Sequence, residues 1–307
     1  MASLRDGIHS ALVTPFDASG KVDHESLAGI VRYQQLSGVV GMVVNGSTGE
    51  FPALTELERT AAVETVAGAL LPGTGLTVQV GAMSTASAVS HAQHAQRIGA
   101  DCLLLVSPYY EPISFSELYK YVEDVAGVGV PIMLYNNPAG TGWSLTVDEV
   151  SSVADIDGVR YLKDTTGDVR RLLDLRDACG DRLTIMNGQD GVTFDGFVLG
   201  VRGAVWGAAN LVPKECVLLW SLVVQEQFLA ARRLWEGLYP VTRFLELNGY
   251  VASIKAGMSL RSHYVGVPRL PLQALDEAKQ VTLARLLSNL DQVSDELGSL
   301  ELNSVSR

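Results

Sequence analysis

From Ile8 to about residue 226 the chain repeats one unit, a short apolar or β-branched run followed by a longer stretch with helical composition and spacing. Eight such runs are legible: Ile8–Phe16, Gly41–Gly46, Leu76–Ala82, Asp101–Pro108, Pro131–Asn137, Val159–Thr166, Leu183–Gly188 and Gly203–Ala208. Strands separated by helices run parallel, and runs as continuous as Cys102-Leu103-Leu104-Leu105-Val106 suit strands covered on both faces. Thr55, Thr85, Ser114, Thr146, Asp168 and Asp190 precede good helix formers and read as N-caps. Eight units in roughly 225 residues fit a closed (β/α)8 TIM barrel better than an open doubly wound sheet, and no GxGxxG follows the first strand. From Gln227 onward the pattern is almost wholly helical, in Leu229–Leu247 and Leu272–Leu290, with Pro268 and Pro271 as punctuation. The expected α/β organisation is a barrel over 1–226 and a C-terminal α-helical domain over 227–307, with the tail Glu301–Arg307 fraying.

A chain of 307 residues, 47% hydrophobic, can bury a full-sized core. Its net charge of −11 argues against nucleic acid or an anionic membrane as partner. Cys102, Cys179 and Cys216 are widely spaced, so neither a disulfide framework nor a zinc site is expected. Residues Met1 to Gly7 carry both charge signs and no apolar secretory segment, and no run approaches a membrane span, which makes a cytoplasmic location the expectation. His91 and His94 share a helix read as Ala86–Ile98 on the outer ring, where solvent exposure rather than metal ligation is expected.

In such barrels chemistry gathers at the carboxyl ends of the strands. Strand five ends in Tyr135 and strand six in Lys163, 28 residues on (163 − 135), about one strand–helix–strand step. That spacing sets a phenol beside an amine at one mouth. An amine desolvated among apolar neighbours loses its proton readily and can attack a ketone to form a Schiff base, while a phenol can relay protons. A packed tyrosine with a satisfied hydroxyl is the commoner fate of a lone strand-end tyrosine. The remaining lysines, Lys21, Lys120, Lys214, Lys255 and Lys279, fall in turns or on helices and read as solvated. Strand two ends in Asn45-Gly46-Ser47-Thr48-Gly49-Glu50, whose hydroxyls and amides could hold a carboxylate, although Gly-Ser-Thr-Gly alone reads more readily as an ordinary turn. Glu50 reads as a structural acceptor tying the loop. Val205 and Trp206 at the end of strand eight are candidate pocket residues, with core filling an equal alternative for the tryptophan.

Taken together, Gly-Ser-Thr-Gly-Glu (46–50), Pro-Tyr-Tyr (108–110), Tyr-Asn-Asn-Pro (135–138) and Leu-Lys-Asp-Thr-Thr-Gly-Asp (162–168) resemble the N-acetylneuraminate lyase/dihydrodipicolinate synthase family, from about residue 4 to 290. The resemblance implies a barrel with a helical C-terminal domain, assembly as a homo-oligomer (dimer or tetramer), and a lysine Schiff base with a 2-oxo acid, commonly pyruvate, with no other cofactor. It implies that Lys163 is the nucleophile, Tyr135 the proton relay, and that Ser47 and Thr48 hold the 2-oxo acid carboxylate and join the relay. Tyr110 would reach a neighbouring subunit's site, and Thr165 and Gly188 would line the substrate pocket. Gly140 stands where the synthases carry an arginine, Glu56, Arg59 and Met83 depart from their lysine feedback site, and Gly191 stands where sialate lyases carry an acid.

The reading is thus a Schiff-base lyase or aldolase acting on a 2-oxo acid and an aldehyde, with a 2-keto-3-deoxy sugar acid as the type of substrate. A dehydratase or deaminase using the same iminium, 4-hydroxy-tetrahydrodipicolinate synthase, and a catalytically silent binding paralogue are the alternatives.

Overall fold

The computed structural model describes residues 4–305. Eight parallel strands close into a barrel in chain order: β1 Gly7–Ala11, β2 Gly41–Val44, β3 Gly75–Gln79, β4 Cys102–Val106, β5 Ile132–Asn136, β6 Val159–Asp164, β7 Thr184–Asn187 and β8 Gly203–Trp206. Each expected strand is present but ends sooner than its apolar run. Leu12 still donates its N–H to Val43, after which the chain leaves the barrel wall and Phe16 bridges Val22.

Alternate strand residues face opposite ways. Val43, Leu104, Met133, Tyr135, Met186 and Val205 fill the barrel interior. Met42, Leu103, Leu105, Leu134, Leu162 and Trp206 belong to the core beneath the helices. With both faces buried, the strands need no polar alternation, which explains their unbroken apolar runs.

Helices α1 His24–Leu36, α2 Glu56–Ala69, α3 Thr85–Ile98, α4 Phe115–Ala126, α5 Pro138–Thr141, α6 Val147–Val153, α7 Val169–Cys179, α8 Thr193–Val198 and α9 Pro213–Val224 occupy the outer ring and its connections. Thr55, Ser114 and Thr146 close full capping boxes, and Asp168 caps α7. Two expected caps differ. Ser84, not Thr85, caps α3, and Asp190 opens a 3₁₀ turn with its carboxylate bonded elsewhere.

Beyond residues 225–227 follow α10 Phe228–Leu247, α11 Tyr250–Leu260 and α12 Glu277–Val305. The helix expected from Leu272 starts only at Glu277, because residues 262–276 form an arm that returns to the barrel through Arg269. α12 continues to Val305 where fraying from Glu301 was expected, and Ser306 and Arg307 lie outside the described residues. No helix among the described residues is long and apolar enough to cross a membrane.

Candidate active site

β5 and β6 pair with Tyr135 directly opposite Lys163, so adjacent strands deliver the phenol and the amine to one level of the barrel. Both are buried, at 7% and 6% exposure, and the Lys163 ammonium nitrogen lies 4.2 Å from the centre of the Tyr135 ring. The next strand keeps the lysine's path clear. A Cβ on Gly188 would stand 2.8 Å from both Cγ and Cε of Lys163 and 2.5 Å from Cγ2 of Thr165, so only glycine fits there without displacing them. The strand end behind Lys163 is rigid. Asp164 accepts hydrogen bonds from Asn136 Nδ2 (2.9 Å), the Thr166 amide (3.0 Å) and Arg171 Nε (3.1 Å). Thr165 donates to the Asn136 carbonyl at 2.9 Å.

The loop after β2 makes a tight excursion between two left-handed non-glycine residues, Asn45 (φ 58°) and Glu50 (φ 58°). Such conformations cost energy and persist where side chains fix them. Asn45 donates to the Arg59 carbonyl at 2.9 Å, and Thr14 donates to the Gly49 carbonyl at 2.7 Å. The Glu50 carboxylate accepts from the Arg269 amide at 2.8 Å and lies 2.6 Å from Lys255 Nζ, with both side chains only 1% exposed. Glu50 is therefore the structural acceptor expected, whereas Lys255 is not the solvated lysine expected. Burial pushes its ammonium below the ordinary lysine range against the pull of Glu50. Between these anchors the loop holds Thr48 buried and leaves Ser47 exposed.

The third wall comes from the β7 loop and the helical region together. The buried carboxyl of Asp190 accepts from Tyr250 at 2.8 and 2.7 Å. Burial pushes Asp190 up to about 7, with the Tyr250 hydrogen bond opposing and nearby Glu246 reinforcing the rise. Burial, and then the Asp190 charge, push the Tyr250 phenol well above its usual range. Gly207 makes the seat for that phenol, since a Cβ there would stand 2.2 Å from its oxygen.

These elements enclose a cavity of about 350 Å³ that brings together Ser47, Thr48, Tyr135, Lys163, Thr165, Gly188 and Val205, with Asp190, Glu246 and Tyr250 besides. Two of the residues expected from sequence do not line it. Trp206 follows inward-facing Val205 and so points out of the barrel, where its ring packs against Phe197 and Trp235. Tyr110 lies on the surface at 81% exposure. Gly140 lines a neighbouring cavity at the mouth, where the one cation, Arg269, is committed to the Glu58 carboxylate and the Gly20 and Ala53 carbonyls. The histidines on α3 are only partly exposed, and each faces a glutamate of α2, His91 with Glu56 and His94 with Glu64. No group of three or more metal-ligating side chains occurs among the described residues.

Sequence reasoning missed Asp190, Glu246 and Tyr250 as cavity residues. Asp190 looked like a cap. Glu246 and Tyr250 flank Asn248-Gly249, a turn signal inside an otherwise helical stretch that marked where the chain bends into the mouth. Gly249 takes φ 79° there.

A parallel barrel whose strand ends bury a lysine against a tyrosine defines the class of lysine-dependent barrel enzymes. The chain belongs to the dihydrodipicolinate synthetase family, which it matches over residues 5–290, and it is accordingly a class I aldolase-type lyase. It is 31% identical over 292 residues to a 4-hydroxy-tetrahydrodipicolinate synthase from Protochlamydia amoebophila, covering 93% of this chain and 97% of that one. A protein of the same name from Synechococcus sp. (strain CC9902) is 33% identical over 287 residues, covering 93% and 95%. Among solved structures, the 4-hydroxy-tetrahydrodipicolinate synthase of Methylacidiphilum fumariolicum SolV superposes with a TM-score of 0.91 at 29% identity, covering 96% of this chain and 99% of its own. YagE from E. coli K12, a prophage protein of the dihydrodipicolinic acid synthase family in complex with pyruvate, gives 0.89 at 29% identity, covering 94% and 99%.

Proposed function

We propose that the protein cleaves, or in reverse assembles, a 2-oxo-4-hydroxy acid of the 2-keto-3-deoxy sugar acid type, with pyruvate and an aldehyde as the two halves. The observation that carries this reading is the buried Lys163 amine lying against Tyr135 in a cavity that also contains Ser47 and Thr48.

Ser47 and Thr48 would hold the substrate carboxylate. The neutral amine of Lys163 attacks the C2 ketone, and loss of water leaves an iminium at C2, next to C3. Tyr135 would relay the proton of the C4 hydroxyl, taking it up as it passes its own on through Ser47, while the C3–C4 bond breaks. The bonding electrons pass to the iminium nitrogen as an enamine, and the aldehyde departs. Protonation at C3 and hydrolysis then release pyruvate and the free lysine. The lysine is itself the electron sink, so the reading calls for no metal or organic cofactor. Tyr110, exposed on this chain, would serve a neighbouring subunit in a homo-oligomer.

The synthase reaction is the competing reading, since similar proteins carry that name. Against it, Gly140 brings no cation for a second carboxylate and Arg269 is bonded to Glu58. The test is borohydride reduction in the presence of pyruvate, followed by peptide mass mapping and a screen of 2-oxo acids for pyruvate release. Lys163 alone should be modified. An unmodified Lys163, or label spread over Lys120 and Lys255, would overturn the reading and favour a silent binding protein.

A further inference from the structure

At the wall of the catalytic cavity built by the β7 loop, two carboxyl groups face a space in which Lys163 is the one lining cation among the described residues. They come from different parts of the chain, Asp190 from the barrel and Glu246 from the last turn of α10. Glu246, 12% exposed, is held in place. Its Oε1 accepts from Gln189 Nε2 at 2.6 Å and from the Gly191 amide at 2.9 Å, and its Oε2 accepts from half-exposed Arg243 at 3.1 Å. Gly191 makes the room, because a Cβ there would stand 3.1 Å from Glu246 Oε2. Position 191 thus lacks a side chain, and a carboxylate carried on another element occupies the space beside it.

Asp190 is less well supplied. Its two oxygens share the single proton of Tyr250, with the Trp206 indole N–H as the one further side-chain donor near it, although a carboxylate can accept about four hydrogen bonds. It is 3% exposed, so bulk water does not make up the difference. A buried acceptor with unspent capacity on the wall of a substrate cavity calls for donors from whatever fills that cavity. Hydroxyl groups are such donors. A second carboxylate is not one, and it would meet the two acidic groups with Lys163, the one lining cation among the described residues, already engaged with the 2-oxo acid.

We infer that Glu246, with Asp190 and Tyr250, is the specificity-determining wall of this cavity, selecting an uncharged, hydroxylated aldehyde half and rejecting one that ends in a carboxylate. The inference rests on the lysine-iminium reading above and adds the chemical class of the second substrate half. Glu246 takes no part in the covalent steps. It acts through charge and through the seating of the β7 loop.

The experiment compares kcat/KM for condensation of pyruvate with glyceraldehyde and with succinate semialdehyde, for wild-type enzyme and Glu246→Gln, with borohydride trapping of Lys163 run on the wild type in parallel. The wild type should favour glyceraldehyde at least tenfold. Glu246→Gln keeps the size and the acceptor for the Gly191 amide but removes the charge, and should shrink that preference at least tenfold, mainly by lowering KM for the semialdehyde. Equal use of the two aldehydes by the wild type, or a preference unchanged within twofold in a folded variant, would overturn the inference. Should Glu246→Gln fail to fold, the wild-type preference decides alone. Trapping of Lys163 without selectivity removes the specificity wall and leaves the Schiff-base reading standing, whereas failure to trap Lys163 removes the reading itself.

Discussion

Lys255→Met removes one partner of an ion pair whose side chains are both 1% exposed, and leaves Glu50 in the core with the Arg269 amide as its donor. The methionine fills the lysine's volume, so the change is one of charge rather than packing. Breaking a buried pair in this way costs about 3–5 kcal/mol, because the desolvated carboxylate must stay uncompensated or take up a proton. An unfolding entropy of about 2 cal/mol/K per residue over 307 residues gives roughly 0.6 kcal/mol/K, so the melting temperature should drop by about 5–8 °C. Removing the second charge as well should restore most of the loss. Lys255→Met with Glu50→Gln leaves a neutral acceptor for the Arg269 amide and no buried ion. The pair also fixes Glu50 in its left-handed conformation, two residues after Thr48. Loosening that loop should therefore raise KM for the 2-oxo acid more than it lowers kcat. Thermal unfolding followed by circular dichroism, together with steady-state kinetics on both variants, makes the measurement. A drop below about 1 °C for Lys255→Met, or a double variant less stable than the single, would refute the argument that a buried charge pair sets this loop.

Gly188→Ala places a methyl group within 2.8 Å of two Lys163 carbons, so the amine must move by something near 1 Å and turnover should fall on the order of a hundredfold with the fold retained; activity within threefold of wild type would show that the lysine has freedom the packing denies it. For Asp190, whose carboxyl burial lifts from the usual 3.8 to about 7, the folded chain keeps between those values a proton that the unfolded chain has released, so stability is lost as pH rises through that window. Asp190→Asn should therefore unfold in urea much as the wild type does near pH 4 but prove more stable at pH 8, by at most roughly 4 kcal/mol, and a difference independent of pH would contradict the shift.

The barrel was legible because its signal is local and repeated. Each strand is buried on both faces, so an apolar run marks it wherever it falls, and a lysine at the end of such a run is conspicuous because its place in the strand is one that burial should claim. Parity along the strand would have sharpened the site further. Val205 and Trp206 are adjacent, so only one of them can face the interior, and the bulkier was the one turned outward. The cap at Asp190 was misread because a carboxylate before a helix normally satisfies backbone amides, whereas here a phenol 60 residues further along takes it. Lys255 was misread for the same kind of reason. On a helix an ammonium is normally solvated, and its burial depends on Glu50, about 200 residues away in the chain.

What the sequence hid has a common cause, and it bears on how the enzyme divides its work. Lys163 and Tyr135 come from neighbouring strands of the barrel, and the chemistry proposed for them is the part that local pattern reveals. Glu246, Tyr250, Lys255 and Arg269 come from the helical region and the arm within it, and all four act on strand-end loops rather than on the lysine. In the proposed reaction the barrel would supply the reactive centre, while the helical region would fix the loop that holds the 2-oxo acid and form the wall that meets the aldehyde half. On that reading, reaction class and substrate choice would be set by separate stretches of chain. A change at Glu246 or Gly191 can alter which aldehyde fits without moving the lysine, and this is why residues that identify the reaction say so little about the substrate.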